Sequence, residues 1–361
     1  MSHLGRVTKG DMQQPAPRAN NVGLLRMILA LLVIISHSPE LIDGNRSREI
    51  LTRIFGTLSL GEVGVDGFFL LSGYLIAKSF QRSPTVLGYL VKRILRIYPG
   101  YVAAFLISVL LVGPLAGAAR ISLGALFAQI QQMALLQRPM AAGVFPGLPY
   151  AELNGSLWTI AYEFRCYLLV LIAGVFGLLN RRWVCLVLVA AMAVLWLTKL
   201  SLGTDILSQV TGNLNLLLRF SMVFGCGVLF YLFADRVRYT RGGAIAAACV
   251  LIPAMFLPRI AELGLVTAGG YLMFWLAFHA RPTIYSRFSD RTDLSYGTYL
   301  YAWPIQSLLI YYIHGISPWL VALITIPGAV ALAALSWHWV ERPFMRLGHN
   351  ARKAAWAPAR S

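Results

Sequence analysis

Charged residues are scarce in this 361-residue chain: Asp, Glu, Lys and Arg make up only 12% of it. A soluble domain carries roughly a quarter, so there is too little ionic surface here to cover a globule in water. Acidic residues are scarcer still, 14 against 31 Lys and Arg, which leaves a formal net charge of +17. Cysteine is limited to Cys166, Cys185, Cys226 and Cys249, all inside apolar runs, with no CxxC spacing and no histidine nearby. That pattern argues against a zinc site or a disulfide framework and leaves them as small core residues. Internal repeats and low-complexity tracts are missing too, so neither a solenoid nor a string of linked domains is implied. What the chain has is hydrocarbon: 58% hydrophobic residues and a mean hydropathy of +0.67. Such a chain takes lipid as its solvent.

The basic excess would suggest a nucleic-acid partner in a soluble protein. Here it lies in short stretches between apolar runs, as the positive-inside rule requires, and nucleic acid is not implied. The runs predict an all-α fold, a polytopic transmembrane bundle of about ten spans. They fall near 22–39, 56–79, 97–118, 156–178, 183–200, 215–233, 243–258, 263–281, 294–313 and 318–340. The stretch 121–137 is apolar but dotted with Gln129, Gln131, Gln132 and Gln137, which suits an interfacial or re-entrant segment. With the N-terminus inside, 21 basic residues fall in cytoplasmic segments, 7 in outer ones and 3 within spans. That split favours both termini in the cytoplasm. The whole chain, 1–361, then forms a single transmembrane domain. Residues 1–21 make a cytoplasmic N-terminal segment, 22–340 the bundle and 341–361 a basic cytoplasmic tail. The first twenty residues are polar and basic, and no small-residue cleavage site follows the first apolar run, so that run stays as a span.

An ionisable group inside a membrane costs several kcal/mol unless it is paired or wetted, so such groups are the site candidates. They are Arg26, His37, Glu62, Asp66, Glu163, Arg165 and Arg219. By span direction, His37, Glu62, Asp66 and Glu163 all fall toward the outer side. Arg26 precedes His37 by eleven residues, roughly 16 Å along a helix, and belongs near the inner face. A histidine among carboxylates is the equipment for proton transfer, because its pKa lies near working pH. Taken alone, His37 reads first as an anchor at the headgroup boundary, and the company of Arg26 and Asp66 turns the reading to catalysis. Lys92, Arg93 and Arg96 share one helix face and would suit donor phosphates at an inner mouth, besides serving topology. Gly61, Gly64, Gly67 and Gly73 make the second span thin, for helix packing or for passage of a slender substrate arm.

These residues also carry a family resemblance. Arg26 and His37 give an R-x10-H spacing, and Gly64-Val65-Asp66-Gly67-Phe68-Phe69-Leu70-Leu71-Ser72-Gly73-Tyr74 follows as a GVDxFFxxSG(F/Y) run. Then come Lys92-Arg93-Ile94-Leu95-Arg96-Ile97-Tyr98-Pro99-Gly100-Tyr101, Ser156-Leu157-Trp158-Thr159-Ile160-Ala161-Tyr162-Glu163, Tyr296-Gly297-Thr298-Tyr299-Leu300-Tyr301-Ala302-Trp303-Pro304 and Glu341-Arg342-Pro343. Six elements in this order resemble the acyltransferase-3 family of membrane O-acyltransferases. Many members have a histidine where this chain has Ala302, which puts more weight on His37.

The resemblance implies transfer of an acyl group, most often acetyl, from acetyl-CoA to a hydroxyl. The acceptor would be a glycan or lipid-linked glycan at the bacterial cytoplasmic membrane. It assigns catalysis to His37, oriented by Asp66 or Glu163, and donor binding to Arg26, Lys92, Arg93 and Arg96, with no metal. The rival readings are a proton-coupled secondary transporter and a non-catalytic component of a polysaccharide assembly system. No inverted repeat or pair of broken helices supports the transporter.

Overall fold

The computed structural model describes residues 20–83, 85–118, 123–198, 213–258, 260–289 and 292–347, and every regular element among them is helical. In chain order these are α1 (Val22–Asp43), α2 (Ile50–Phe55), α3 (Leu60–Gln81) and α4 (Val86–Leu115), then α5 (Leu123–Ala134), α6 (Gly155–Val175), α7 (Arg182–Leu197) and α8 (Leu214–Leu232). They continue with α9 (Arg241–Ala254), α10 (Ala261–His279), α11 (Ile284–Ser289), α12 (Ser295–Tyr312) and α13 (Pro318–Leu347). The expected N-terminal segment up to residue 19 and the tail beyond residue 347 lie outside the described residues.

Every expected span coincides with a helix, but seven are long and apolar enough to cross a membrane: α1, α3, α4, α6, α8, α10 and α13. Helices α7 and α9 are shorter, with 16 and 14 residues. Helix α12 is rich in Tyr, Ser and Thr, and its polarity has a structural reason. Nearly all of it is buried among other helices rather than turned to lipid. The 121–137 stretch yields α5, whose twelve residues rise about 18 Å, too little to cross.

Helix α4 corrects one boundary. It starts at Val86, with the Thr85 side chain accepting from the Gly88 amide, ahead of the span expected from residue 97, so Lys92, Arg93 and Arg96 lie inside this same helix. The apolar face carrying Leu90, Ile94 and Ile97 continues through the basic residues, and nothing in the sequence interrupts it.

Helix α3 is the centre of the bundle, packed between α1 and α8. Ser59 and Glu62 cap it reciprocally, a capping box that uses Glu62 as a helix start signal. At the crossing with α8 a Cβ on Gly73 would stand 2.0 Å from the Phe224 carbonyl oxygen, and one on Gly227 would stand 2.0 Å from the Leu70 carbonyl oxygen. The two backbones touch there, as small residues permit. Gly64 and Gly67 are closed off in the same way by Val33 and Leu29 of α1. These glycines serve packing and leave no passage.

The segment after α5 folds back over one end of the bundle. Leu136, Val144, Phe145 and Leu153 are buried, and the Phe145 amide donates to the Ala116 carbonyl at 2.9 Å. Below, this end is called the histidine end and the opposite one the arginine end.

Candidate active site

At the arginine end a cavity of about 360 Å³ opens between α1, α3, α4, α6 and α12, lined among others by Arg26, Ser72, Arg93, Arg96, Glu163 and Asp293. Helix α1 supplies Arg26, one turn inside its start. Helix α4 supplies Arg93 and Arg96, three apart and so on one face.

The arginines are not equivalent. Arg26 and Arg96 converge on Asp293 at 3.3 and 2.5 Å, and Arg96 also reaches Glu341 at 3.3 Å. Burial alone would raise the Asp293 carboxyl, but the two guanidiniums outweigh it and hold the group down at about 2. Among the described residues Arg93 has no carboxylate partner, and it donates to Ser79 at 3.5 Å. It lies over the rings of Tyr89 and Tyr167 at 6.0 and 5.8 Å, and its buried Nε has no hydrogen-bond acceptor among the described residues. Lys92 turns away and donates to Ser83 at 2.9 Å. Of the four basic residues singled out in the sequence, the structure therefore brings three to this cavity.

Glu163 faces the same cavity, where it accepts from Ser72 at 2.8 Å and Tyr167 at 2.6 Å. It lies beside the arginines, not at the level of His37. A narrow cleft of about 30 Å³ continues from Arg26 and Glu163 between Phe68, Thr159, Tyr296 and Tyr299. One turn further along α12, Trp303 meets His37 edge-on, with ring centroids 5.1 Å apart. The indole N–H of Trp303 is buried and has no acceptor among the described residues. Ala302 packs against Ile34 and Ala329.

His37 is one-fifth exposed, and its Nδ1 lies 3.1 Å from Glu40 Oε2. This corrects the sequence-based pairing: neither Asp66 nor Glu163 touches it. Glu40, three residues on and on the same helix face, is the carboxylate that does. Glu40 is buried and also accepts from Arg46 and Tyr150, both at 2.7 Å. Burial and the carboxylate together push the Tyr150 hydroxyl up to about 12, so it remains a donor at neutral pH.

Asp66 turns toward α8 instead, accepting from Arg219 at 2.8 Å. Arg219 also faces Glu262 of α10 at 2.7 Å, close enough for an ion pair though not aligned as a hydrogen bond. Glu62, Asp66 and Glu163 thus serve three separate places, and none of them touches His37. Among the described residues no cluster of His, Cys, Asp and Glu has the make-up of a metal site.

A helical membrane protein with an arginine-lined cavity, an aromatic cleft and a histidine–carboxylate pair beyond it has the parts of a group-transfer enzyme. A family model described as an acyltransferase domain matches residues 20–338, and the chain belongs to that family of membrane O-acyltransferases. It is similar to an O-acetyl transferase of Shigella phage Sf6, 27% identical over 345 residues, which cover 91% of this chain and 96% of the relative. It is also similar to nodulation protein 10 of Rhizobium leguminosarum bv. viciae, 29% identical over 371 residues and covering 91% and 94%. No solved structure is detectably similar.

Proposed function

We propose that this chain transfers an acetyl group from acetyl-CoA to a hydroxyl of a glycan or lipid-linked glycan in a bacterial cytoplasmic membrane. The observation that carries this reading is the placement of anion-binding groups near one end of α1 and a histidine–carboxylate pair near the other, with a narrow cleft leading from Arg26 and Glu163 as far as Tyr299, one turn of α12 short of Trp303. Arg26 and His37 are eleven residues apart on α1, which separates them by roughly 16 Å. A pantetheine arm is an extended chain of comparable reach. With the donor's phosphates at the arginine end, its thioester arrives beside His37 and Trp303.

His37 Nε2 is the base in this reading. The acceptor hydroxyl gives its proton to Nε2 as its oxygen bonds to the thioester carbonyl carbon. The C–S bond then breaks, the electron pair leaves on sulfur, and the proton passes from Nε2 to give the free thiol. Arg93, the cavity arginine without a carboxylate partner, is the first contact for a donor phosphate. Arg26 and Arg96 join it when a phosphate competes with Asp293. Glu163, beside the same arginines, holds Tyr167 and Ser72 in the wall of the donor's cavity.

Purified protein should release thiol from acetyl-CoA when an acceptor glycan is supplied. Arg93→Gln should raise the KM for the donor by about 10- to 150-fold, as loss of a charged contact worth roughly 1.5–3 kcal/mol predicts, and change turnover at saturation far less. An unchanged donor KM would return Arg93 to a role in topology alone.

The same reading puts the arginine end in the cytoplasm and the 138–152 loop outside, with all ten helices spanning. The basic residues near the arginine end support that orientation. A cysteine placed near residue 147 should react with an impermeant maleimide from outside in intact cells, and one at residue 361 should not. The opposite labelling pattern would invert the assignment.

A further inference from the structure

We propose that Glu40 is the positioning residue of the transfer reaction, holding the His37 ring so that Nε2 is free to take the acceptor's proton. The inference rests on the reading of His37 as the base. Imidazole has two nitrogens, and the one that serves as base is set by the hydrogen bond the other makes. Glu40 Oε2 lies 3.1 Å from Nδ1. An ionised carboxylate only accepts hydrogen bonds, so Nδ1 carries the proton and Nε2 bears the lone pair.

The carboxylate is itself fixed. Its other oxygen, Oε1, accepts from Arg46 Nε and from the Tyr150 hydroxyl, each at 2.7 Å. Glu40 is therefore tied to three elements: its own helix, the turn after it and the loop folded over the histidine end. Two donors on one oxygen leave the other oriented toward His37. The ring is further confined by Trp303 from α12. Two rotatable bonds of the histidine are thus restrained by a carboxylate on one side and an indole edge on the other. When Nε2 takes a proton the imidazolium that forms is stabilised by the same carboxylate, as in serine hydrolase triads.

The charged and titratable groups about the ring are Glu40 on α1, Arg46 after it, Tyr150 on the loop and, further off on α3, Glu62, which acts on Arg46. Of these, Glu40 alone is in contact with the ring. Removing its charge destabilises the protonated imidazole, so the acid limb of the pH–rate profile moves to lower pH while the base becomes weaker.

The test is a set of variants assayed for transfer from acetyl-CoA at saturating donor and across pH. Glu40→Gln should lower kcat by about 10- to 1000-fold, less than loss of the base itself, with the donor KM within about twofold and the acid limb shifted to lower pH. Glu40→Asp keeps the charge and should recover part of the rate and the original pH limb. Arg46→Gln and Tyr150→Phe each leave the His37–Glu40 contact in place, and each should cost only a few-fold. If Arg46→Gln with Tyr150→Phe matches the whole loss of Glu40→Gln, Glu40 merely anchors the loop and the proposal fails. An unshifted pH limb in Glu40→Gln would also overturn it. In a His37→Ala background, Glu40→Gln should remove little more activity, because the two act as a unit. If His37→Ala itself transfers normally, the reading of the base fails, and with it this one. If His37→Ala is inactive and Glu40→Gln is normal, the base stands and only the positioning role falls.

Discussion

His37→Ala should fold, insert and bind donor, yet transfer acetyl groups about 10²–10⁴-fold more slowly, the usual contribution of a general base. His37→Gln should be nearly as slow, because an amide preserves a hydrogen bond to Glu40 but takes no proton. The measurement is turnover per folded molecule, with donor binding followed separately. A histidine that only anchors the helix end at the headgroups predicts the reverse. Glutamine would then be accepted, and any deficit would track the amount of protein rather than its rate. Normal turnover by His37→Gln would remove the base mechanism while leaving the family membership intact.

The second large effect is on stability. Arg219 is buried between Asp66 of α3 and Glu262 of α10, so Arg219→Met leaves two carboxyl groups facing each other with no cation. Breaking a buried ion cluster by removing one partner costs about 3–5 kcal/mol, which in detergent should appear as a large fall in the unfolding temperature. Replacing all three as Arg219→Met, Asp66→Asn and Glu262→Gln should recover much of that loss, because no uncompensated charge remains. An unfolding temperature unaffected by Arg219→Met would show that water or lipid headgroups already reach the cluster. The same variants bear on the transporter reading. A proton relay would lose its function in Asp66→Asn at unchanged stability, whereas a structural cluster loses stability first.

Much of the architecture was legible because lipid imposes a simple code, in which a long apolar run has to be a helix. Every expected span has its helix for that reason. The start of α4 was hidden because three basic residues, Lys92, Arg93 and Arg96, end the apolar run, although a helix at a membrane surface carries such residues with their stems on apolar surface. Arg26 and Glu163 were visible as buried charges and Arg93 and Arg96 as a basic cluster on one helix face, and the fold brings all four to one cavity. Their counter-charges Asp293 and Glu341 lie near helix ends, where sequence gives no sign of burial.

Glu40 was missed for a related reason. Ser38-Pro39-Glu40 reads as the end of a helix, since proline removes an amide donor. The helix in fact runs on to Asp43, with Pro39 inside it. The signal that would have found it is local: positions three apart share a helix face, so the partner for His37 lay along its own helix rather than across the bundle. Asp66 was drawn toward His37 by its place in a motif. An intramembrane arginine needs a carboxylate, and that need would have paired it with Arg219.

The spacing of Arg26 and His37 on one continuous helix makes α1 a ruler. A helix neither stretches nor slips, so the gap between the proposed phosphate grip and the proposed base is fixed at eleven residues however the loops at either end move. A carrier with a shorter arm cannot fill both places at once and must give up either its anchor or its alignment. One residue inserted between the two positions would turn His37 by about 100° and carry it about 1.5 Å further out, away from Trp303. On the proposed reading, selection of the donor would act on the length of its carrier, measured against hydrogen-bonded backbone, before the acyl group meets any side chain.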